Sequence, residues 1–284
     1  MIVIMEKLKF AKMHGAGNNF IIFEDFENKY ENLEAIAKIL CDRAFGIGAD
    51  GILVVRKSTV AEIQMIIINA DGSYAAMCGN GIRCFAKYVY DEGLVKNTSI
   101  DIETGDGVKH AKLEIENNKV IGVTINMGIP TFEPARVPVI SEDIVLNKNI
   151  SIGENRYTIT SMLLGVPHTI IIDPIDKYPV EEGRLIEKSN IFPQGTNVNF
   201  CEVINKDEIT VKTWERGAGA TLACGTGSCA SVVACHKLKL VNSKVKVNIP
   251  GGSLVVEITE DGVMMTGPAV TVFEGETLEL DFSN

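Results

Sequence analysis

Long apolar runs are missing from this sequence of 284 residues. Stretches such as 65–68 (MIII) fall far short of the roughly 20 apolar residues that a bilayer-spanning helix needs, so no membrane span is expected. The start, 1–5 (MIVIM), is apolar but lacks the basic leader and small-residue cleavage site of a signal peptide; a cytoplasmic location is expected. Basic runs are missing too. Lys and Arg number 27 against 37 Asp and Glu, a formal charge of -10, and phosphate would be repelled over most of such a surface, which disfavours nucleic acid and anionic membranes as partners. Histidine is scarce, at four, and the seven cysteines form no CxxC pairs. Paired Cys or His knuckles are what tetrahedral zinc requires, so no metal is expected. An odd cysteine count in a chain of this length also argues against a secreted disulfide framework and for reduced thiols. The glycines at 15–17 have neither GxGxxG spacing nor the Lys-Ser/Thr of a phosphate loop, and no lysine context suggests pyridoxal phosphate. No cofactor is expected.

What is present is a near-repeat. Residues 77–86 read MCGNGIRCFA and residues 223–230 read ACGTGSCA, with Cys78 and Cys224 separated by 146 positions, about half the chain. Length alone makes two domains the default, and a duplicated unit built around Cys-Gly-x-Gly explains both length and spacing. Each copy sits where a strand gives way to a helix. Residues 62–68 are β-rich and 208–214 alternate like a strand. Apolar residues then recur at helical spacing after each cysteine, and Gly93 is placed to close the first helix.

Elsewhere the pattern predicts short strands at 21–24, 53–56, 99–103, 111–116, 120–126, 156–163, 169–172, 198–203, 244–249, 254–258 and 263–266, and a late one at 271–282. Asn117-Asn118 and Asp261-Gly262 read as hairpin turns. Residues 32–42 predict a helix capped by Asn32, with Leu33, Ile36, Ala37 and Leu40 facing inward. A second short helix is expected over 181–189. Gly128, Pro130 and Pro134 interrupt the pattern near the middle and mark the boundary between the two halves.

Glycines beside a helix start leave backbone N–H groups free, and these, with the helix dipole, bind anions. A cysteine at that point has its thiolate favoured. One such element is a weak signal; two in one chain are more specific. Together they offer two sulfurs and two sets of donors. A substrate carboxylate held by both would present its α-carbon to both sulfurs, so that one removes a proton while the other delivers one to the opposite face. The donors would also stabilise the charge that moves onto the carboxylate. This is inversion without a cofactor, and the pair would titrate as a unit holding one proton. Glu215-Arg216, just ahead of the second motif, adds a mixed-charge element suited to a zwitterion.

Taken together, MHGAGNNF (13–20), NADGSYAAMCGNGIRCFA (69–86), GVPH (165–168), TNVNF (196–200) and WERGAGATLACGTGSCA (214–230) resemble the diaminopimelate epimerase family, in order and over most of the chain. The resemblance implies an α+β fold of two pseudo-symmetric strand-rich domains, each a barrel-like sheet around a central helix. The domains would be 1–127 with 270–284, and 128–269, the late strand returning to the first domain. It implies Cys78 and Cys224 as the acid/base pair. Gly79, Asn80, Gly225 and Thr226 would bind the reacting carboxylate, Arg216 the distal carboxylate and Glu215 the distal ammonium. Asn18, Asn69 and Asn197 would complete the pocket, with His168 and Glu215 flanking the reacting centre. The implied reaction takes LL-2,6-diaminoheptanedioate to the meso form in lysine and diaminopimelate biosynthesis, in a homodimer that uses no metal and no pyridoxal phosphate. The alternative is a racemase of the same fold acting on proline or hydroxyproline, which the charged Glu215-Arg216 pair argues against.

The chain departs from the family's usual pattern at Val166 (Asn in GNPH), Ala220 (Glu in GAGET), Tyr74 (Glu in NADGSE) and Asn19 (Asp in HGLGND); Val166 removes an expected amide contact to the distal end. Cysteine is most often a core residue, and Cys41, Cys84, Cys201, Cys229 and Cys235 are expected to pack. His14 reads as a loop residue, and His110 and His236 as structural or exposed.

Overall fold

The computed structural model describes residues 5–152, 155–278 and 280–281. Of the apolar start only Met5 falls among them, and the end of the expected late strand, Phe282, lies outside them. The chain divides into two compact units, Met1–Ile125 with Gly267–Asn284, and Asn126–Thr266.

The first unit runs β1 (Met5–Glu6), β2 (Lys9–Gly15), β3 (Asn18–Glu24), α1 (Leu33–Cys41), β4 (Gly51–Arg56), β5 (Ile63–Asn69), β6 (Tyr74–Ala75), α2 (Gly79–Asp91), β7 (Ser99–Thr104), β8 (Gly107–Glu116) and β9 (Lys119–Asn126). The end of the chain contributes β19 (Val270–Glu276), antiparallel to β2, and β20 (Leu280–Asp281), antiparallel to β1. β2 and β3 form a hairpin. α1 then carries the chain to β4, parallel to β3, which turns back into β5. α2 carries it to β7, parallel to β5, and β8 and β9 follow as a meander.

The second unit runs β10 (Lys148–Ile152), β11 (Asn155–Leu164), β12 (Val166–Ile172), a 3-10 turn at Val180–Glu182, α3 (Gly183–Glu187), β13 (Asn197–Asn205), β14 (Glu208–Glu215), β15 (Gly219–Thr221), α4 (Gly225–Lys237), β16 (Lys244–Ile249), β17 (Gly252–Thr259) and β18 (Gly262–Gly267). Its pairings repeat the first unit's step for step: β10 and β12 flank β11, β12 is parallel to β13, β13 turns into β14, β14 is parallel to β16, and β17 and β18 follow. α2 packs against β2, β3, β5 and β8, and α4 against β11, β12, β13, β14, β16 and β17. In each unit one sheet therefore wraps one helix. The architecture is α+β, strand-rich and duplicated.

Local chemistry explains these elements. Asn32 caps α1, its Oδ1 accepting from Ala35 N at 3.0 Å, and Ala35, Ile36, Ala37, Leu40 and Cys41 are buried. Ile36, Ala37, Leu40 and Cys41 join Phe10, Ile21, Phe23, Ile52 and Val54 in one core cluster; fully burying one large aliphatic side chain is worth about 1.5–3 kcal/mol. A second cluster holds Tyr157, Ile159, Ile171, Ile186, Val198 and Phe200. Gly93, at φ 70°, lets the chain leave α2, with Leu94 N donating to Val89 O at 2.9 Å. Asn117 and Asn118 both take positive φ, as a tight hairpin turn requires.

The expected strands are present, with ends extended by up to four residues, except that the late one at 271–282 is broken into β19 and β20, which pair with different strands. β2 and β10 were not foreseen. β2 buries Lys12, whose ammonium donates to Gly48 O and whose pKa burial lowers, so polar letters hide a buried strand. β10 is an edge strand with mostly exposed side chains and no apolar alternation. The helix expected over 181–189 is instead a 3-10 turn followed by five α-helical residues, and its Gly183 lies against Trp214, whose Cβ an added methyl would approach to 2.4 Å.

Candidate active site

Cys78 is the N-cap residue of α2 and Cys224 that of α4, each in extended backbone conformation. Gly79 and Gly225 open the two helices, followed by Asn80 and Thr226, so that each sulfur stands at a first turn whose N–H groups have no acceptor within the helix. A glycine two places further on permits this closeness. At Gly227 a Cβ would stand 2.2 Å from Asn199 Oδ1 and 3.1 Å from Cys224 Sγ; at Gly81 it would stand 3.4 Å from Cys78 Cβ.

Around Cys78 the polar groups are amides held by charges. Its Sγ accepts from Gly81 N at 3.4 Å and lies 3.7 Å from Asn18 Oδ1. Asn18 Oδ1 also accepts from Asn80 Nδ2 at 3.2 Å, and Asn18 Nδ2 donates to Asp50 Oδ2 at 2.9 Å. Asn80 Oδ1 accepts from Arg83, fully buried, at 3.0 Å; Arg83 also donates to Gly79 O and Pro268 O. Asn69, the last residue of β5, donates to Ser73 Oγ at 3.0 Å within its own turn.

Around Cys224 the group of consequence is a carboxylate. Cys224 is buried, 3.6 Å from Thr226 Oγ1. Its pKa is raised well above the ordinary thiol value, first by burial and then by the neighbouring Glu215 charge, so it rests as a thiol. Glu215 accepts from Thr221 Oγ1 at 2.6 Å. Asn197 Oδ1 accepts from Arg216 N at 2.8 Å, while the exposed Arg216 guanidinium donates to Gln194 O at 2.6 Å. His168 is fully buried, its Nδ1 3.2 Å from Asn199 Nδ2 and its Nε2 without a hydrogen-bond partner. Burial, with a smaller push from Arg216, lowers its pKa to about 3, so the imidazole is neutral.

A family model described as diaminopimelate epimerase matches residues 10–133 and 160–272. A diaminopimelate epimerase from Clostridium perfringens is 57% identical over 272 residues, covering 95% of this chain and 100% of its own. One from Alkaliphilus metalliredigens is 47% identical, covering 95% and 97%. The chain belongs to the diaminopimelate epimerase family. It is an isomerase of the epimerase class. Among solved structures, a hydroxyproline epimerase from Agrobacterium vitis superposes with a TM-score of 0.69 over 97% of this chain and 93% of its own, at 16% identity, a likeness of fold alone.

The departures from the family pattern fall in plain places. Val166 is the half-buried first residue of β12, Ala220 is exposed, Tyr74 reaches over Gly105, and Asn19 Nδ2 donates to Gly17 O at 2.7 Å. Cys41, Cys84, Cys201, Cys229 and Cys235 are buried; burial holds Cys41 and Cys84 up at about 12. Asp50, Arg83, Asn199 and Thr213 were not singled out from sequence. Thr213 Oγ1 donates to Asn199 Oδ1 at 3.0 Å, and Asn199 reaches His168. Strand alternation placed Asn199 beside Asn197 in TNVNF and was the one available signal. No helix among the described residues is long and apolar enough to cross a membrane.

Proposed function

We propose that this chain interconverts LL- and meso-diaminopimelate by moving one α-proton between Cys78 and Cys224 on opposite faces of a single carbon. The observation that carries the reading is the duplicated helix start: a sulfur at each N-cap, with glycine-opened donors beside it. In this mechanism the first-turn N–H groups of Gly79, Asn80, Gly225 and Thr226 hold the reacting carboxylate and stabilise the charge that builds on it as the α-proton leaves. One cysteine enters as thiolate, the other as thiol, and the roles exchange with each direction of turnover. The raised pKa of Cys224 suits the proton donor. No cofactor takes part.

The far end of the substrate carries a second carboxylate and a second ammonium. Arg216 takes the carboxylate by guanidinium pairing, and Glu215 faces an ammonium, with Asn18, Asn69 and Asn197 supplying amides. The neutral, orphaned Nε2 of His168 supports a flanking role at the reacting centre. The same reading makes the protein a cytoplasmic enzyme of lysine and diaminopimelate synthesis, acting on a small molecule rather than nucleic acid and assembled as a homodimer. The net charge of -10 and the free cysteines are in keeping with it. The domain bounds expected from sequence, 1–127 with 270–284 and 128–269, lie within three residues of the two compact units.

Incubation with LL-diaminopimelate in D₂O, without added cofactor, tests the proposal. Deuterium enters at one α-carbon as the meso form appears. Conversion of proline with no turnover of diaminopimelate would overturn the substrate assignment in favour of the proline-type alternative.

A further inference from the structure

We propose that Asp50 is a positioning residue for Cys78. It fixes the Asn18 side chain so that the amide oxygen, rather than the nitrogen, faces the sulfur, and it thereby favours the protonated thiol. The inference deepens the reading above, in which Cys78 exchanges a proton with substrate, and rests on it.

Donors and acceptors decide which way the Asn18 amide turns. A carboxylate only accepts hydrogen bonds and a guanidinium only donates them, whereas an asparagine amide does either depending on which way it is turned. The chain of contacts runs from Asp50 through Asn18 and Asn80 to Arg83. Arg83 must meet the oxygen of Asn80. Asn80 therefore offers its nitrogen to Asn18, and Asn18 answers with its oxygen. From the other end, Asp50 must meet the nitrogen of Asn18, which again leaves the oxygen toward Asn80 and Cys78. Two fixed ends demand the same orientation. Turning Asn18 over would set nitrogen against nitrogen at Asn80 and oxygen against carboxylate at Asp50.

The consequence falls on the sulfur. An amide oxygen 3.7 Å from Sγ can accept from a thiol but repels a thiolate, while Gly81 N–H at 3.4 Å does the reverse. Asp50 adds its own charge to the side of the thiol. It is anchored for the purpose: Oδ2 also accepts from Asn19 N at 2.8 Å, and Asp50 N donates to Asn19 O at 2.9 Å. Arg43, 2.9 Å from Oδ1, is largely exposed and adds little.

The other charged or titratable groups of the surrounding elements stand in defined places. Lys12 of β2 is buried, and the Asp50 charge partly offsets the lowering of its pKa by burial, while His14 of β2 accepts from Gly17 N. Arg83 and Cys84 belong to α2. Glu24 of β3 bonds Tyr88 further along α2, and Lys109 of β8 pairs with Asp106. Of these, Arg83 bears on the Asn18 amide, through Asn80 as described.

The second unit has no such relay. Val166, which follows the positive-φ Gly165 as Asn18 follows Gly17, carries no amide. Thr196, Thr226 and Cys229 stand where Asp50, Asn80 and Arg83 do.

The test compares Asp50→Asn with Asp50→Ala in the full-length protein. Iodoacetamide alkylation of Cys78 is followed by mass spectrometry from pH 5 to 11, with the thermal midpoint recorded alongside. Asp50→Asn keeps an oxygen for Asn18 and loses only the charge; its apparent pKa for Cys78 falls by about half a unit. Asp50→Ala loses both, and the fall is about one unit. The acid limb of the kcat/KM profile moves with it in each variant. Equal shifts in the two variants would reduce Asp50 to a bare charge and overturn the positioning role. Unshifted profiles in folded protein would overturn it entirely. Should Asp50→Ala fail to fold, an unshifted Asp50→Asn is sufficient to refute. Alkylation needs no turnover, so these outcomes are separate from a failure of the Cys78 mechanism, which would appear as inversion surviving in Cys78→Ser.

Discussion

Cys78 and Cys224 cap helices of 13 residues each, after strands that end nine residues earlier, at Asn69 and at Glu215. The backbone device is the same and the electrostatic setting is not. The first cysteine is half-buried among amides whose orientation charges dictate; the second is buried beside a carboxylate, in the unit whose β12 carries a neutral histidine where the first unit has Phe20. Duplication supplied matched geometry, and divergence at the side chains supplied two different polar settings, amides beside Cys78 and a carboxylate beside a Cys224 thiol whose pKa burial raises. In the proposed mechanism the two sulfurs hold one proton between them, so the setting of each bears on where that proton rests.

The largest effect is expected from removing either half of the pair. Cys78→Ala and Cys224→Ala should each lower kcat for inversion by at least about 100-fold, the lower end of what a positioned acid or base contributes. Steady-state conversion of LL-diaminopimelate measures it. A variant keeping a tenth of the activity would mean that one unit suffices, and the comparison would lose its functional meaning.

Acid should separate the units next. His168 has its folded pKa depressed to about 3, against an ordinary value near 6.5. A depressed group contributes stability that is present above the unfolded pKa and lost as pH falls through the folded one. The second unit should therefore lose up to about 1.4 kcal/mol per pH unit between 6.5 and 3 from this source, while Phe20 gives the first unit no such term. Amide exchange in α4 should accelerate over that range more than in α2, and His168→Gln should flatten the difference. Parallel behaviour of both helices in the wild type would remove the assigned cause.

Glycine sharpens the comparison further. Alanine at 227 drives a methyl to 2.2 Å from Asn199 Oδ1, an atom of a fully buried residue bonded to Thr213. Alanine at 81 meets its nearest neighbour, Leu53 Cδ2, at 3.3 Å. Overpacking of the first kind costs about 1–3 kcal/mol, and Gly81→Ala should cost less than half as much by thermal or urea unfolding. Equal losses would show the two helix starts to be packed alike.

These contrasts mark what the sequence reveals and what it hides. The duplication, the strand-to-helix junctions and the two sulfurs are written in local spacing, because a Cys-Gly-x-Gly turn is specified by its own residues. The hairpin at Asn117-Asn118 and the cap at Asn32 are legible for the same reason. Asp50 and Asn199 act across neighbouring strands, and Arg83 reaches from α2 to Pro268 O. Asp50 reads as a loop residue ahead of β4, and Arg83 as one more charged letter on a helix; only folding shows that Arg83 is fully buried and that Asp50 meets Asn18. β2 escaped detection because a buried Lys12 breaks the apolar pattern by which buried strands are recognised.

The smallest effect concerns Glu215, and it asks whether the second unit's proton affinity comes from charge or from burial. Burial is the first cause of the raised Cys224 pKa and the Glu215 charge the next. Glu215→Gln removes the charge, keeps an oxygen for Thr221, and leaves the burial untouched. The pH midpoint for Cys224 alkylation should move down, yet stay above that of an ordinary exposed thiol. The raised pKa also has a sign in stability: a thiol that holds its proton more tightly when folded contributes stability below its unfolded pKa, near 8.5, and loses it as pH rises toward the folded value. The variant should accordingly lose slightly less stability between pH 9 and 11 than the parent, read as the change in urea midpoint. A midpoint for Cys224 that fell to the ordinary thiol value would assign the whole shift to Glu215, and the contrast between an amide-governed and a carboxylate-governed cysteine would then rest on that single residue.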